Sequence, residues 1–420
     1  MIPQTLTAPI AQAAEAASSA ANARRRVVAF GASLALLSFV DRAAISYAAP
    51  YISRDLGLSA FQMGLVFSAF GLTYALGEIP SGWLCDRVGV RSLLTRVVIG
   101  WSIFTAATGA AWNFSSLLAA RLLFGAGESG CFPGLARMFR TWLPPGERSA
   151  AEGIKAASAR WGAALTPAMM AALLAAFSWR QVFLLFGAAG VVWAVAFHRW
   201  YRDNPDGAAV HASEGAVSWP KLLRSRSVWA LGIQWFCHFY GFYFYITWLP
   251  LYLLQGRGLN IRNGAVAAGL PLLAAGFGSL VAGWTLAALS RRWKDAGRAR
   301  RILSYVSYYG AALLLLLFTR IEDATAAVVV LSLSSFTAEL SGPATWTTAM
   351  DIGGERVGTV SGFMNMLGHF GGSVAPAVTG LLLSLTGNAW NLAFYCSALI
   401  YAAGGICWVF IDPTQQDFER

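Results

Sequence analysis

The 420-residue chain carries a formal net charge of +11 at pH 7, is 57% hydrophobic and only 12% charged, about half the charged share of a soluble domain. Apolar runs of roughly 20 residues recur from end to end, each long enough to cross a ~30 Å hydrocarbon core, which excludes a soluble core with a single anchor and describes a polytopic membrane protein. The basic residues are dispersed into short loops without the aromatic-interleaved stripe of a nucleic-acid binder, and Cys85, Cys131, Cys237, Cys396 and Cys407 lack both CxxC spacing and a disulfide framework.

In chain order, the Ala/Ser-rich stretch 1–23 precedes Arg24, Arg25 and Arg26, the reverse of a secretory signal. Residues 1–26 read as a short disordered cytoplasmic tail. The first span, about 27–50, contains the stretch LALLSFVDRAAISYAAP, with Asp41 and Arg42 well inside it. Insertion scales charge roughly 2.5–3.5 kcal/mol for each such ion, a cost that a simple anchor would not carry. Spans follow at about 61–83, 93–112, 115–139, 150–175 and 180–200. The polar segment 201–226 is broken by Asp203, Asn204, Pro205, Asp206 and Gly207 and closes on an amphipathic piece, 221–226. Six more spans are expected at about 228–254, 264–289, 301–319, 324–349, 358–385 and 390–411, with a tail at 413–420. The expected fold is an all-α membrane protein of twelve transmembrane helices in two six-helix bundles, 27–200 and 227–412, joined by the linker 201–226.

Loop charges set the orientation. Arg24 to Arg26, Arg87, Arg91, Arg137, Arg140, Arg148, the linker and Arg291 to Arg301 fall on one side, against Arg54, Arg180, Arg257, Arg262 and Arg320 on the other. The positive-inside rule then places both termini in the cytoplasm. The halves also echo each other. Gly153, Gly162 and Pro167 match Gly362, Gly371 and Pro376 at one constant offset, which sets Arg160 against His369, and Gly82-Trp83 echoes Gly283-Trp284. Paired halves of this kind mark one large class of secondary transporters.

The ionisable residues inside the spans carry the functional expectation. Asp41 and Arg42 lie ~22 Å along the first span, and Glu128 lies ~20 Å along the fourth from its outer end, so their depths coincide. Arg121 and Glu128, seven apart, share a helix face. Arg160 sits in span five, and Glu339 and His369 lie in the second half. So many ions at membrane depth must converge on an internal cavity. Asp41 and Glu128 fit proton coupling, since a carboxylate's affinity for a proton rises on dehydration and falls when a cation approaches. Arg42, Arg121 and Arg160 fit anion binding, because a guanidinium offers a planar donor fork, and no lysine is expected deep in a span. When ionised, Asp41 and Glu128 are expected to pair with these arginines; the alternative is a fixed Arg121–Glu128 pair that orients span four, with Arg121 the structural member. Glu339 remains open between cavity and packing. Tyr240, Tyr243 and Tyr245 in span seven, with Trp346, Thr347 and Thr348 in span ten, are candidate cavity walls, although membrane-interface packing accounts for many such aromatics.

The stretch GWLCDRVGVR resembles the signature loop of the major facilitator superfamily, G-x-L-x-D-R-x-G-x-[RK], through Gly82, Asp86, Arg87, Gly89 and Arg91. The resemblance implies a cytoplasmic latch made by these residues, with Glu78 eight positions earlier assigned to it. The second-half copy, AALSRR at 287–292, lacks the acid, which weakens a symmetric latch. VDRAAIS, RLLFGAGESGCFPG, YITWLPLYLLQGRG and MDIGGERVGTVSGFMNMLG resemble the anion:cation symporter branch of bacterial sugar-acid permeases and vesicular anion carriers. That resemblance implies a non-enzymatic, proton-driven symporter importing an organic anion such as a sugar acid, with no cofactor beyond the proton gradient. It implies a monomer in a bacterial-type inner membrane, partnered by the bilayer, protons and a small anion. Tyr74 matches a substrate-contacting tyrosine of those permeases. His369 stands where they carry Asn and Arg160 where they often carry Gln, so this cavity is more basic than the pattern, and Asn365 shares the face of His369. A proton-coupled exporter of drugs or metabolites and a non-transporting sensor are the alternatives. The absence of GxxxxGK[ST] and HExxH argues against an ATP-driven pump and an intramembrane metalloenzyme.

Overall fold

A computed structural model describes residues 4–203, 219–249, 252–253, 261–387 and 389–412. Most of the expected linker (204–218), Arg257 and the tail 413–420 lie outside the described residues, as does the Arg262 side chain. The first half comprises α1 (Gln4–Leu56), α2 (Ala60–Val88), α3 (Val90–Gly109), α4 (Phe114–Glu128), α5 (Cys131–Trp142), α6 (Pro145–Ala176) and α7 (Trp179–Trp200). After the short α8 (Trp219–Arg224), the second half comprises α9 (Arg226–Thr247), α10 (Ile261–Trp293), α11 (Ala296–Phe318), α12 (Ala324–Ala338), α13 (Gly342–Gly353), α14 (Val357–Leu385) and α15 (Trp390–Phe410). The expected disordered tail is instead helical from Gln4 and continuous with the first span, as alanine's high helix propensity favours.

Local sequence places the boundaries. Ser59 with Gln62, Asn113 with Ser116 and Ser178 with Gln181 form capping boxes that start α2, α4 and α7. Asp295 and Asp323 cap α11 and α12. Gly89, at φ +80°, makes the turn between α2 and α3. Among the described residues, eight stretches meet the length and hydropathy of a span, one of them, Ala324–Leu385, covering expected spans ten and eleven together. Expected spans four, five and seven are not among them: α4 and α5 are each too short alone, and α6 carries Glu152, Lys155 and Arg160.

Two expected single spans are interrupted. Span four breaks at Ser129-Gly130, directly after Glu128. Span ten breaks in a 3-10 turn, Glu339–Ser341. Each break follows from small residues and a proline just beyond it, Pro133 and Pro343.

The two halves meet along two seams. On the first, α2 runs antiparallel to α14, with Asp86 and Gly82 against Gly358, Gly82 and Glu78 against Gly362, Glu78 against Asn365, and Tyr74 against His369. On the second, α6 meets α10 with Gly153 against Ser279 and Gly283, and Trp161 against Gly276 and Leu273. A Cβ on Gly153 would come within 2.6 Å of the Ser279 carbonyl oxygen, so the approach needs glycine. All four seam helices hold an internal proline, Pro80, Pro167, Pro271 and Pro376. Proline removes a helical hydrogen bond and bends the axis, which lets a helix pair converge at one end and diverge at the other.

The halves are tied at the basic end. Asp86 accepts hydrogen bonds from Arg137 Nη1 (2.9 Å), the Gly358 and Thr359 amides (2.9 and 2.8 Å) and Thr359 Oγ1 (2.7 Å). Its carboxylate thus sits on the positive end of α14. The other signature cations stay within the first half: Arg87 stacks on Trp83 at 4.0 Å, and Arg91 binds the His198 carbonyl while its amide donates to Asp203. The acid missing from 287–292 is supplied elsewhere, because Asp351 of α13 lies 3.2 Å from Arg148 across the seam and 2.6 Å from Arg300.

Candidate functional site

α1 turns one face inward. Ser38, Asp41 and Arg42, at i, i+3 and i+4, share that face. Ser38 Oγ and Arg42 Nε both donate to Glu128 Oε1, the arginine at 2.9 Å. Glu128 is fully buried and ends α4, so its side chain projects from the break. Among the described residues, its second oxygen has no hydrogen-bond partner, and neither has Arg42 Nη2. Arg42 lies in an aromatic cup, its guanidinium carbon 4.2 Å from the Tyr74 ring centroid and 5.1 to 5.5 Å from Phe39, Phe70 and Phe132. Aromatic faces hold a cation without competing for its N–H donors, so the fork stays available.

Asp41 is buried, and neither carboxylate oxygen has a hydrogen-bond partner among the described residues. Arg121 interacts electrostatically with Asp41 and Glu128, and its guanidinium lies over Phe124 and Phe70. Of the two pairings open to Glu128, the direct contact is with Arg42 and not with Arg121. Seven residues separate Arg121 and Glu128 by roughly 10 Å along the axis, whereas Arg42 approaches from the neighbouring helix.

A second ion pair crosses between the halves. Arg160 of α6 donates from Nε to Glu339 Oε1 at 2.8 Å, and its Nη2 lies 2.7 Å from the same oxygen. Ser279 Oγ donates to Glu339 Oε2 at 3.0 Å, and His238 Nε2 lies 3.6 Å from Oε1. The Arg160 guanidinium also covers the Phe242 ring at 3.5 Å. Glu339 is thus the buried partner of Arg160 across the two halves.

His369 meets the Tyr74 ring edge-on at 4.4 Å and Phe239 at 5.0 Å, which brings it beside the Arg42 cup. Tyr243 borders the same wall, packed on Gly372 and near Phe239. Glu78 departs from its assignment to the latch. It is fully buried, accepts from Asn365 Nδ2 at 2.5 Å, and lies roughly 12 Å along α2 from Asp86. Asn365 also accepts from Trp235 Nε1 at 3.1 Å, so its amide serves a cross-bundle tie. Tyr240, expected in the wall, faces Cys396 of α15 because it lies about 60° around α9 from Tyr243. The Thr347 hydroxyl is spent on carbonyls of its own helix, Pro343 and Ala344.

Lys155 corrects the expectation that no lysine lies deep. It is 1% exposed, pairs with Glu152 one turn away, and sits 4.0 Å over the Trp346 ring. Trp346 neighbours Phe132 and Trp235, so this pair lies close to the Arg42 cup from the basic end. The sequence signal was available: Lys155 alone among Lys155, Lys221 and Lys294 falls in an expected span, with an acid at i−3. His238, Ser38 and Ser279 left no comparable signal, since a lone histidine or serine in an apolar helix is ordinary.

A family profile described as Major Facilitator Superfamily matches residues 31–376. A probable sulfoacetate transporter of Cupriavidus necator, SauU, is 33% identical over 394 residues, 90% of this chain and 91% of the relative. The hexuronate transporter of Bacillus subtilis is 29% identical over 84% of this chain and 86% of its own length. The probable galactarate/D-glucarate transporter GarP of Escherichia coli is 30% identical over 89% and 91%. Among solved structures, the transporter FucP in the outward conformation superposes with a TM-score of 0.73 at 16% identity, covering 91% of this chain and 98% of that one. The human organic anion transporter MFSD10 gives 0.72 at 18% identity, over 92% and 99%.

Proposed function

Because the chain belongs to the Major Facilitator Superfamily, we propose that it is a proton-coupled symporter importing an organic anion, most directly a sugar acid or similar carboxylate, by alternating access. It is a multi-pass membrane transporter of the organic-anion branch and not an enzyme. Relatives named for sulfoacetate, hexuronate and galactarate/D-glucarate support the anion class. The observation that carries the mechanism is the buried Arg42–Glu128 pair, with a free nitrogen on one member and a free oxygen on the other.

A proton on Glu128 removes its charge and weakens its hold on Arg42. The Arg42 fork then turns to a cargo carboxylate, for which bidentate geometry is favourable. Tyr74 and His369 flank that position and contact the cargo. Asp41, beside Arg42 and within the field of Arg121, takes up a second proton and keeps the cavity from repelling the anion. Release of the cargo restores the Arg42–Glu128 pair. By the positive-inside rule the basic end lies in the cytoplasm, so the arrangement described above is shut toward the cytoplasm, and cargo enters from outside. The transporter works as a monomer in a bacterial-type inner membrane, with the proton gradient as its only energy source.

The test is uptake into proteoliposomes across a panel of carboxylates, with and without an inward proton gradient. Gradient-driven accumulation of an organic anion is expected. Glu128→Gln is expected to abolish accumulation while sparing counterflow exchange. Loss of both activities, or of neither, removes Glu128 from proton coupling. Extrusion of a cationic drug with no anion uptake would overturn the symporter itself.

A further inference from the structure

Arg42 and Arg160 are related in a way that bears on the shape of the cargo. Both belong to the first half, and both flank one ring. Their guanidinium carbons lie 5.1 and 5.8 Å from the Phe39 centroid, which caps their separation at about 11 Å. Each is occupied by a buried glutamate, Arg42 by Glu128 and Arg160 by Glu339. The two glutamates are equivalent in construction. Each stands where a span breaks, at the end of α4 and at the start of the 3-10 turn after α12.

A carboxylate held by a guanidinium inside a cavity marks what that guanidinium can hold in its place, since charge, planarity and donor geometry are the same for any carboxylate. We infer that the cargo is a compact dianion, with one acidic group replacing Glu128 on Arg42 and the other replacing Glu339 on Arg160. The inference rests on the anion-carrier function proposed above. The distance cap restricts the cargo to a short chain between two acidic ends, with the apolar Phe39 ring beside both arginines.

The second exchange differs from the first in one respect. Glu128 and Arg42 sit in the same half, whereas Glu339 and Arg160 join opposite halves. An acidic group arriving at Arg160 therefore replaces a tie between the halves. A monoanion seated on Arg42 leaves that tie intact. Selection for a second acidic group is thus built into the step that releases one half from the other, and discrimination appears in transport as well as in binding.

Matched probes separate this from general anion affinity: D-gluconate against D-glucarate, and butyrate against succinate, each pair differing by one terminal acid. Competition for binding and counterflow are measured in proteoliposomes at a pH where all acids are ionised. The dianion of each pair is expected to win by roughly ten- to hundredfold, the worth of one charge-assisted contact. In Arg160→Gln that preference collapses toward unity. Because Arg160→Gln leaves Glu339 unpaired, the double variant Arg160→Gln/Glu339→Gln removes both charges and must show the same collapse. Equal handling of monoanion and dianion by the wild-type protein, or a preference that survives in the double variant, overturns the dianion assignment and leaves the anion carrier standing. Failure to handle any of the four acids, with a cation moved instead, removes the carrier function itself and the assignment with it.

Discussion

Replacing Asp86 by Asn perturbs the tie that closes the basic end. Asp86 is fully buried and receives four donors, three of them from the first residues of α14 in the other half. The amide keeps the shape and one acceptor oxygen but turns a donor toward groups that are themselves donors. Hydrogen bonds to a charged group are worth roughly 1.5–3 kcal/mol, and the carboxylate's interaction with the helix N-terminus adds about 0.3–1 kcal/mol. The contacts are not additive, so about 2–4 kcal/mol of preference for the closed basic end is at stake. At roughly 1.4 kcal/mol per decade, the ratio of closed to open molecules falls at least tenfold. Gly146, whose Cβ position is open, and Arg291 lie on opposite halves and border the same groove at that end. Spin labels on Gly146→Cys and Arg291→Cys, in a background without the five native cysteines, read the distance between them by electron double resonance. The Asp86→Asn variant should gain a long-distance population. An unchanged distribution would refute the claim that Asp86 holds the halves together.

Gly82→Val tests the same seam sterically. A side chain there would drive into the Gly358 carbonyl, so the long-distance population should rise without any change of charge, and a wild-type distribution counts against the close packing. Lys155→Met alone strands buried Glu152 and should lower stability by about 3–5 kcal/mol, read as a large loss of thermal stability in detergent. Adding Glu152→Gln should recover most of it, and absence of recovery would mean that the two charges are not a coupled pair. Arg42→Lys keeps the charge but loses the planar fork, so anion affinity measured by competition should fall at least tenfold.

Much of this was legible beforehand because intramembrane ions are costly. The energetic penalty made Asp41, Arg42, Glu128 and Arg160 conspicuous, and repeat matching flagged His369 as the partner position of Arg160. What sequence could not supply was pairing. Matching depth brings Glu128 to the level of Arg42, but a shared helix face offers Arg121 as its partner equally well, and only the crossing of α1 and α4 selects Arg42, at 2.9 Å. Glu78 was assigned to the latch from its spacing to Asp86, yet Asn365, 287 positions away in the chain, takes its carboxylate. Helical periodicity resolves neighbours within an element, whereas these contacts depend on how bent helices cross, which the prolines and the glycine seams determine.

The helix breaks carry the same lesson further. Spans four and ten read as continuous apolar runs, and nothing in their hydropathy distinguishes residues 128 and 339 from any other buried acid. Breaking the helix at each glutamate frees backbone groups and costs regular hydrogen bonding, so the break needs a compensating reason. Its effect is to let the carboxylate leave the end of a helix and meet an arginine on another element, Arg42 of α1 in one case and Arg160 of α6 in the other. A continuous helix would hold each carboxylate to one face of its own cylinder. The interruption therefore places a buried carboxylate on each of two arginines, which is the arrangement that the proposed exchange with a cargo acid requires.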